Sequence, residues 1–387
     1  MTDSKINIMT RRKAEMKKRL IVILSISIFV ILSIGICYKV LKSKDSARNK
    51  NEETVSESTD KIEESDGSAG QNKSRRKLII DSDAGADDCA AIIYAAKQPN
   101  VDILGVTVLL GNVELDQAAD NVLMALEKAG CDAPVYKGEE KTYNRTVKEA
   151  YSVFGEDGMG DADIIHPSGS PEDKAAVEFI IDTVRDNPGE VEIVCLGPAT
   201  NIAKAIDVTP DVMKDVKMIW SMGTTGLGAG NASPVAEFNV YADAPAYKVL
   251  VDSGLPLTIV GLDMCTEEAA WTNEQFAKLE SEGEEGSFVT KSLEKLREFY
   301  KGNGSDTVMV CDPITVMCVL HPNFVKEKIQ THASCITVQG ETYGQVLFYK
   351  EGFTYDSVEN DFDYNVTLVT KVDKAAYFDY YMDGVCD

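Results

Sequence analysis

The feature that most constrains the fold is a series of six short apolar runs after Lys77, separated by helical patterns. The runs are rich in β-branched residues, which is typical of strands buried on both faces of a parallel sheet. They are KLIID, VDILGVTVLL, APVYKG, VEIVCLG, VKMIWSMG and PLTIVGLD. Amphipathic patterns such as LDQAADNVLMALEKAG, where Gly130 is placed to end a helix, and PEDKAAVEFIIDTVRD lie between them. The alternation predicts an α/β domain with an open, mostly parallel sheet, flanking helices and a binding site at the carboxyl ends of the strands.

The residues before this domain differ in composition. Residues 1–19 contain seven Lys or Arg, and residues 20–38, LIVILSISIFVILSIGICY, are nineteen positions without a charge. A run of this length matches a bilayer core, so it predicts a transmembrane signal anchor. Residues 39–76 are rich in Ser, Glu, Lys, Asp and Asn and predict a disordered polar tether to a folded domain at 77–387. Residues 39–50 contain five Lys or Arg, so the slight basic excess before the anchor favours an extracellular domain on a single-pass cell-membrane protein.

Charge and cysteine content narrow the classes of partner. The formal charge of −24 argues against a surface that binds nucleic acid, because phosphate binding needs clustered Lys and Arg. A cation is the more natural partner. The nine cysteines have no short paired spacing typical of zinc or redox motifs, and we predict that they are small buried apolar residues.

Four aspartates crowd the end of the first predicted strand. In LIIDSDAGADD, at 78–88, they are Asp81, Asp83, Asp87 and Asp88, and they precede a predicted helix. Aspartate favours helix N-termini, so one or two of these could be plain caps. Four close carboxylates raise one another's pKa unless a cation holds them ionised. Oxygen ligands without neighbouring His or Cys indicate Ca²⁺ or Mg²⁺ rather than zinc.

Several stretches together resemble the inosine-uridine nucleoside hydrolase family. DSDAGADD is similar to its DxDxGxDD signature, and further stretches match in order from about Lys77 to near the C-terminus. They are LLGN at 109–112, GEDGMGD at 155–161, LGPATNIA at 196–203, MGTTGLGAGNASPVAEFNVYADAPA at 222–246, GLDMCT at 261–266 and CDPITV at 311–316. The resemblance implies the nucleoside hydrolase fold, which has a Rossmann-like core.

The resemblance also implies a Ca²⁺ ion that holds a water and the ribose 2′ and 3′ hydroxyls. The implied ligands are Asp83, Asp88, Asp312 and the backbone carbonyl of Leu196. Asp83 is implied to take a proton from the water, which attacks the anomeric carbon. The implied ribose-binding residues are Asp87, Asn112, Met222, Asn231, Glu237 and Asn239. Met222 could equally be a core residue, and Glu237 and Asn239 would share a face if their segment is extended.

This chain departs from the family pattern at the group that protonates the departing base. Cys311 stands where characterised members carry His before the last metal-binding Asp, as in a Cys-containing subgroup, and Phe154 replaces a second His. His166, His321 and His332 match no motif position, so we predict surface or packing roles for them. A neutral thiol is a poor acid, which leaves the catalytic role of Cys311 open. Trp271, at a predicted helix start, is a candidate to stack on the nucleobase.

Two functions follow from these residues. The first is Ca²⁺-dependent hydrolysis of the N-glycosidic bond of ribonucleosides to ribose and free base, for purine or pyrimidine salvage at the membrane. The alternative, motivated by the two replaced histidines, is a catalytically impaired module that binds nucleosides or ribose. The family resemblance further implies a homodimer or tetramer. The sequence does not identify the nucleobase.

Overall fold

The computed structural model of the chain describes residues 75–143, 149–349 and 363–386. All of them belong to one compact unit, Asn72–Asp387. The predicted basic segment, signal anchor and nearly all of the predicted tether lie outside the described residues. Within the described ranges, no helix combines the length and apolarity that a bilayer crossing requires.

The six predicted strands form, and each apolar run supplies one. The first begins at Arg76, one residue before the predicted domain boundary, and Arg76 pairs with Glu192 of a neighbouring strand. The strands in chain order are β1 Arg76–Ser82, β2 Val101–Val108, β3 Val135–Lys137, β4 Val191–Cys195, β5 Met218–Met222, β6 Leu257–Val260, β7 Trp271–Thr272, β8 Thr307–Val308, β9 Val325–Cys335, β10 Val346–Tyr349 and β11 Val366–Val372.

Helices connect most of these strands. The two quoted amphipathic patterns are helical, and the first ends as predicted before Gly130, which has a positive φ of 65°. The α-helices of the described residues are α1 Ala86–Lys97, α2 Leu115–Lys128, α3 Tyr151–Phe154, α4 Ala176–Asp186, α5 Thr200–Val208, α6 Pro210–Met213, α7 Phe238–Ala242, α8 Ala244–Asp252, α9 Asn273–Ser281, α10 Gly283–Ser292, α11 Glu294–Gly302, α12 Asp312–Leu320 and α13 Tyr377–Cys386. Short 3₁₀ helices span Leu262–Cys265, Glu267–Ala269 and Lys374–Ala376.

The described strands build a mostly parallel nine-stranded sheet in the order β10-β9-β11-β6-β5-β4-β1-β2-β3. The pairs from β3 across to β11 are parallel, whereas β9 pairs antiparallel with both β11 and β10. The chain runs from β1 outward through β2 and β3, then returns to place β4 on the other side of β1. In open sheets the ligand crevice lies at such a reversal of strand order, outside the carboxyl ends of the strands. The ligand site is therefore expected at the carboxyl ends of β1 and β4.

The core lies on both faces of the sheet, which explains the continuous apolar runs. Leu78 and Ile80 belong to the cluster on one face, and Ile79 belongs to the cluster on the other. Successive side chains of a strand point to opposite faces, so a strand covered on both sides needs apolar residues throughout. The α/β fold with a mostly parallel sheet and flanking helices is confirmed. A separate two-stranded pairing of β7 with β8 was not predicted.

Candidate active site

The four predicted aspartates lie between the end of β1 and the first turn of α1, at the carboxyl edge of the sheet. Ala84 has a positive φ of 56°, an uncommon conformation for a residue with a side chain, and Gly85 precedes the first residue of α1. Asp88 accepts hydrogen bonds from Ser82 Oγ at 2.7 Å and from the Gly85 backbone N–H at 3.1 Å. Asp88 thus caps the helix, as the simpler interpretation predicts, and also faces the cavity described below.

Asp83 is fixed by close contact with two backbone segments. It is fully buried, and its Oδ2 accepts a 2.7 Å hydrogen bond from the backbone N–H of Asn112. Two glycines of the family-like stretches pack against it. A Cβ at Gly111 would lie 2.0 Å from Asp83 Oδ2, and one at Gly197 would lie 2.8 Å from its Oδ1. The loops after β2 and β4 therefore require glycine here because the Asp83 carboxylate occupies the space of a side chain.

We expect Gly111→Ala to destabilise the domain by about 1–3 kcal/mol, the usual cost of overpacking, and to displace the Asp83 carboxylate. Urea denaturation measures the loss of stability. Gly302→Ala is the matched control, because nothing lies within 4 Å of a Cβ there and the backbone has no positive φ. Equal stability of the two variants would contradict the packing argument.

Asp81, the first of the four aspartates, lies in β1 and has a structural role. Its Oδ1 accepts hydrogen bonds from Thr107 Oγ1 at 2.5 Å and Asn201 Nδ2 at 2.8 Å, which join β1 to β2 and α5. Burial raises the pKa of Asp81 to about 7. It does not line the cavity.

A cavity of about 770 Å³, including its open mouth, lies at this edge of the sheet. The structure brings ten of the residues predicted for the site to its wall: Asp87, Asp88, Asn112, Leu196, Met222, Asn231, Glu237, Asn239, Cys311 and Asp312. Asp83 does not line the cavity but accepts a hydrogen bond from the backbone of Asn112, which does.

Three carboxylates converge at one end of the cavity. One oxygen from each of Asp87, Asp88 and Asp312 lies within 4.8 Å of the others, and all three residues are buried. Burial first, and then repulsion from Asp88, raises the pKa of Asp312 well above its ordinary value and that of Asp87 to about 7. Burial followed by repulsion from Asp88 also raises the pKa of Asp83. No lysine, arginine or histidine lines the cavity among the described residues.

The donor set fits a hard divalent cation such as Ca²⁺. The ligand atoms are carboxylate oxygens, and Asp83 Oδ1 is buried without a hydrogen-bond partner. The backbone carbonyl of Leu196 accepts a 2.5 Å hydrogen bond from Asn239 Nδ2, and a carbonyl oxygen retains a second lone pair. This group of three contains Asp87 rather than the predicted ligand Asp83. The assignment of Asp83 as a ligand therefore stays a prediction.

Glu237 and Asn239 also line the cavity and are positioned by a short helix. Glu237 caps α7 by accepting from the backbone N–H groups of Asn239, at 2.9 Å, and Val240, at 3.3 Å. The segment is not extended after Glu237, so the proposed strand-like alternation does not explain why the two residues share the cavity. Helix α7 begins between them and turns Asn239 back toward Leu196. Asn239 Nδ2 also approaches Met222 Sδ, at 3.4 Å.

Part of the cavity wall is apolar and partly aromatic, and sequence reasoning missed most of it. Its residues are Val153, Phe154, Leu296, Phe299, Tyr300 and Met309. Phe299 is 38% exposed. The sequence signal for these residues is weak, because Phe299 and Tyr300, in REFY, are an ordinary pair of aromatic residues on an amphipathic helix. Burial raises the pKa of the Tyr300 hydroxyl, which stays protonated as a hydrogen-bond donor.

The prediction that Trp271 stacks on a nucleobase is wrong. Trp271 is fully buried, does not line the cavity, and packs edge-on against Phe276 and Phe378 and beside Tyr381. Its position at a helix start suggested access to the site. The C-terminal helix α13 covers it instead, a contact that no local pattern reveals.

The histidines lie away from the cavity, as predicted. The side chain of His166 is 69% exposed, and His321 bonds Tyr94 Oη at 2.7 Å just after α12. His332 lies in β9 and contacts the Asp363 carbonyl at 3.1 Å. Cys311, the residue in the family His position, does line the cavity.

Comparison with known proteins places this site in a family. The model of the inosine-uridine preferring nucleoside hydrolase family matches residues 78–379. Probable uridine nucleosidase 1 of Oryza sativa subsp. japonica is 33% identical over 270 residues, 67% of this chain and 83% of that protein.

Solved structures agree with the sequence comparison. A plant nucleoside hydrolase, PpNRh1, superposes with a TM-score of 0.76 at 27% identity, covering 80% of this chain and 99% of that one. The purine-preferring ribonucleoside hydrolase of Gardnerella vaginalis gives 0.72 at 27% identity, covering 80% and 98%. With a family match over most of its length and its acidic residues gathered at the sheet edge, the chain belongs to the inosine-uridine preferring nucleoside hydrolase family.

Proposed function

We propose that this protein hydrolyses the N-glycosidic bond of ribonucleosides to ribose and free base, with Ca²⁺ as its cofactor. Membership of the family makes it a glycosidase of the nucleoside hydrolase type. One observation carries the proposal. A single cavity contains both a buried carboxylate cluster and further amide and carboxylate groups that suit sugar hydroxyls. Such hydroxyls need both donors and acceptors, which Asn and Asp or Glu supply together.

In this reaction the carboxylate end of the cavity holds the sugar and activates the attacking water. When bound, Ca²⁺ would lower the pKa of a water and hold sugar hydroxyls, with Asp83, Asp88, Asp312 and the Leu196 carbonyl as its ligands. Asp83 takes a proton from the attacking water, because its Oδ1 has no competing hydrogen bond. Asp87, Asn112, Asn231, Glu237 and Asn239 orient the ribose. The buried carboxylates also stabilise positive charge that develops on the sugar.

The apolar wall receives the base. Phe299 and Tyr300 take the stacking role that the sequence suggested for Trp271, because they line the cavity and Trp271 does not. The departing base needs a proton or hydrogen bond, and the described cavity wall offers Tyr300 Oη and Cys311 Sγ as protonated donors there. We assign Cys311 to this role because it lines the cavity.

The relatives are named for different nucleobases, so we propose ribonucleosides as the substrate class and name no single base. One relative is named for uridine and one structural neighbour for purines. Assaying the full-length chain with inosine, uridine, cytidine, adenosine and p-nitrophenyl riboside, in the presence of Ca²⁺, tests the proposal. Release of ribose from at least one substrate is expected. Calorimetric binding of a nucleoside without ribose release from any of the five would favour the alternative binding module.

We further propose that residues 20–38 anchor the enzyme to the cell membrane in a single pass, with the catalytic domain outside for salvage of nucleosides, and that it assembles as a dimer or tetramer. The charge-free run of nineteen residues and the basic segment before it support the anchor. Release of the chain from membranes by alkaline carbonate would refute the anchor. A single-chain mass in light scattering of the detergent-solubilised protein would refute the assembly.

A further inference from the structure

Two cysteines from distant parts of the chain meet at the edge of the cavity. The sulfur atoms of Cys265 and Cys311 lie 2.7 Å apart, although the residues are 46 positions apart in sequence. A disulfide has a sulfur–sulfur distance of about 2.05 Å, so a movement of about 0.7 Å would bring the two atoms to bonding distance. Both cysteines are reduced in this structure.

The two thiols differ in access. Cys311 lines the cavity, immediately before the first residue of α12, whereas Cys265 is 2% exposed and ends the 3₁₀ helix Leu262–Cys265. Cys265 Sγ donates to the Leu262 carbonyl at 3.0 Å, which holds it on its own helix. A small oxidant that enters the cavity therefore reaches Cys311 first, and Cys265 is positioned behind it.

The pair also adjoins the acidic cluster. The backbone N–H of Cys311 donates to Asp87 Oδ2 at 3.4 Å, and Asp312 follows Cys311 directly in the chain. A covalent link at Cys311 would tie the start of α12 to the segment after β6. It would change both the Cys311 thiol and the geometry of the neighbouring carboxylates.

We propose that Cys265 and Cys311 form a reversible disulfide that switches off this site. A small disulfide such as oxidised glutathione supplies the oxidant. The Cys311 sulfur attacks one glutathione sulfur, expels one glutathione thiolate and loses its proton. The Cys265 sulfur then attacks the Cys311 sulfur of the mixed disulfide and expels the second glutathione. Two thiols lose two protons and two electrons, and one oxidised glutathione becomes two reduced glutathiones.

The oxidised pair lacks the S–H group that, in the proposed function, protonates the departing base. The expected loss of activity therefore rests on the proposed function. Cys265 is buried and Cys311 is half-buried, so oxidation should need incubation over hours rather than seconds.

The test uses the full-length chain, incubated for hours with oxidised glutathione, then alkylated and digested without reduction. Mass spectrometry should find the peptide of Cys265 joined to that of Cys311, two hydrogens lighter than the two thiol peptides together. Nucleoside turnover should fall at least tenfold and recover with excess reduced glutathione. Because the peptide map needs no turnover, it decides the disulfide even if no nucleoside is hydrolysed.

Variants separate this pair from other thiols. Cys265→Ser should keep the turnover of the reduced enzyme and lose its sensitivity to oxidised glutathione, and Cys265→Ala should do the same if the serine variant folds poorly. Cys131→Ser, which removes a half-buried thiol elsewhere, should respond as the wild type does. Absence of the joined peptide, or full turnover in protein that contains it, would overturn the proposal.

Discussion

Asp83→Asn is expected to lower the turnover number for a ribonucleoside on the order of 10³-fold, with a change in KM of less than tenfold. Removal of a general base costs 10²–10⁴-fold in typical enzymes. The amide is almost the same size as the carboxylate and its oxygen can keep the hydrogen bond from the Asn112 backbone, so the close packing against Gly111 survives. Steady-state kinetics on the best substrate of the nucleoside panel measures the effect.

Asp81→Asn is the matched control for this substitution. Asp81 lies in the same segment, is equally buried and has its pKa raised to about 7, but it bonds Thr107 and Asn201, whereas Asp83 bonds the backbone of Asn112, which lines the cavity. We expect it to retain turnover within a few-fold. If both variants lost turnover equally, the loss would reflect disruption of the β1 turn. An active Asp83→Asn enzyme would remove Asp83 from the mechanism.

Removal of Ca²⁺ should lower the thermal midpoint of the full-length protein by roughly 5 °C at pH 7.5. That is the size expected when a ligand present at about 100 times its Kd contributes about 2.7 kcal/mol to a domain of this size. The physical reason is mutual repulsion among the buried carboxylates of Asp83, Asp87, Asp88 and Asp312. Differential scanning calorimetry with and without a chelator measures the shift.

The stabilisation of the protein by Ca²⁺ should increase with pH. The folded pKa of Asp87 is about 7, above its ordinary value of 3.8, so between about pH 4 and 7 the folded metal-free state binds more protons than the unfolded state. Its contribution to the free energy of unfolding therefore falls as pH rises through this window. Ca²⁺ binds the ionised carboxylates, so its stabilisation should be larger at pH 7.5 than at pH 5.

Asp312→Asn provides a sharper form of the same test. Loss of one negative charge should raise the thermal midpoint of the metal-free protein at pH 7.5 and reduce its response to Ca²⁺. Calorimetric titration with Ca²⁺ should give weaker binding in the variant. The exposed Asp211, paired with Lys214, gives the control Asp211→Asn, which should leave both quantities unchanged. Equal Ca²⁺ responses in the two variants would place the ion elsewhere.

Local sequence patterns determined the strands and the acidic turn. The apolar runs are short and continuous because each strand is buried on both faces, and the four aspartates lie within eight residues of one another. Such features depend on neighbours in the chain, so they can be read before any fold is known. The residues that resemble the family supplied more distant members of the site, including Cys311 and Asp312.

Tertiary structure decided which side chains meet. Cys311 and Asp87 are 224 positions apart and become neighbours because the start of α12 lies beside the turn after β1. Trp271 lies just before a helical pattern and Phe299 lies within one, yet Trp271 is enclosed by α13 and Phe299 lines the cavity. The contact between Cys265 and Cys311 likewise has no signal in their spacing.

The sequence by itself therefore determined the α/β class, the carboxyl-edge site and its acidic chemistry, since these follow from periodicity and from charge within single segments. The structure alone decided the aromatic wall, the burial of Trp271 and the meeting of the two thiols. Those depend on how strands are ordered and how helices pack across the whole domain, which is fixed by burial of apolar surface between segments far apart in the chain.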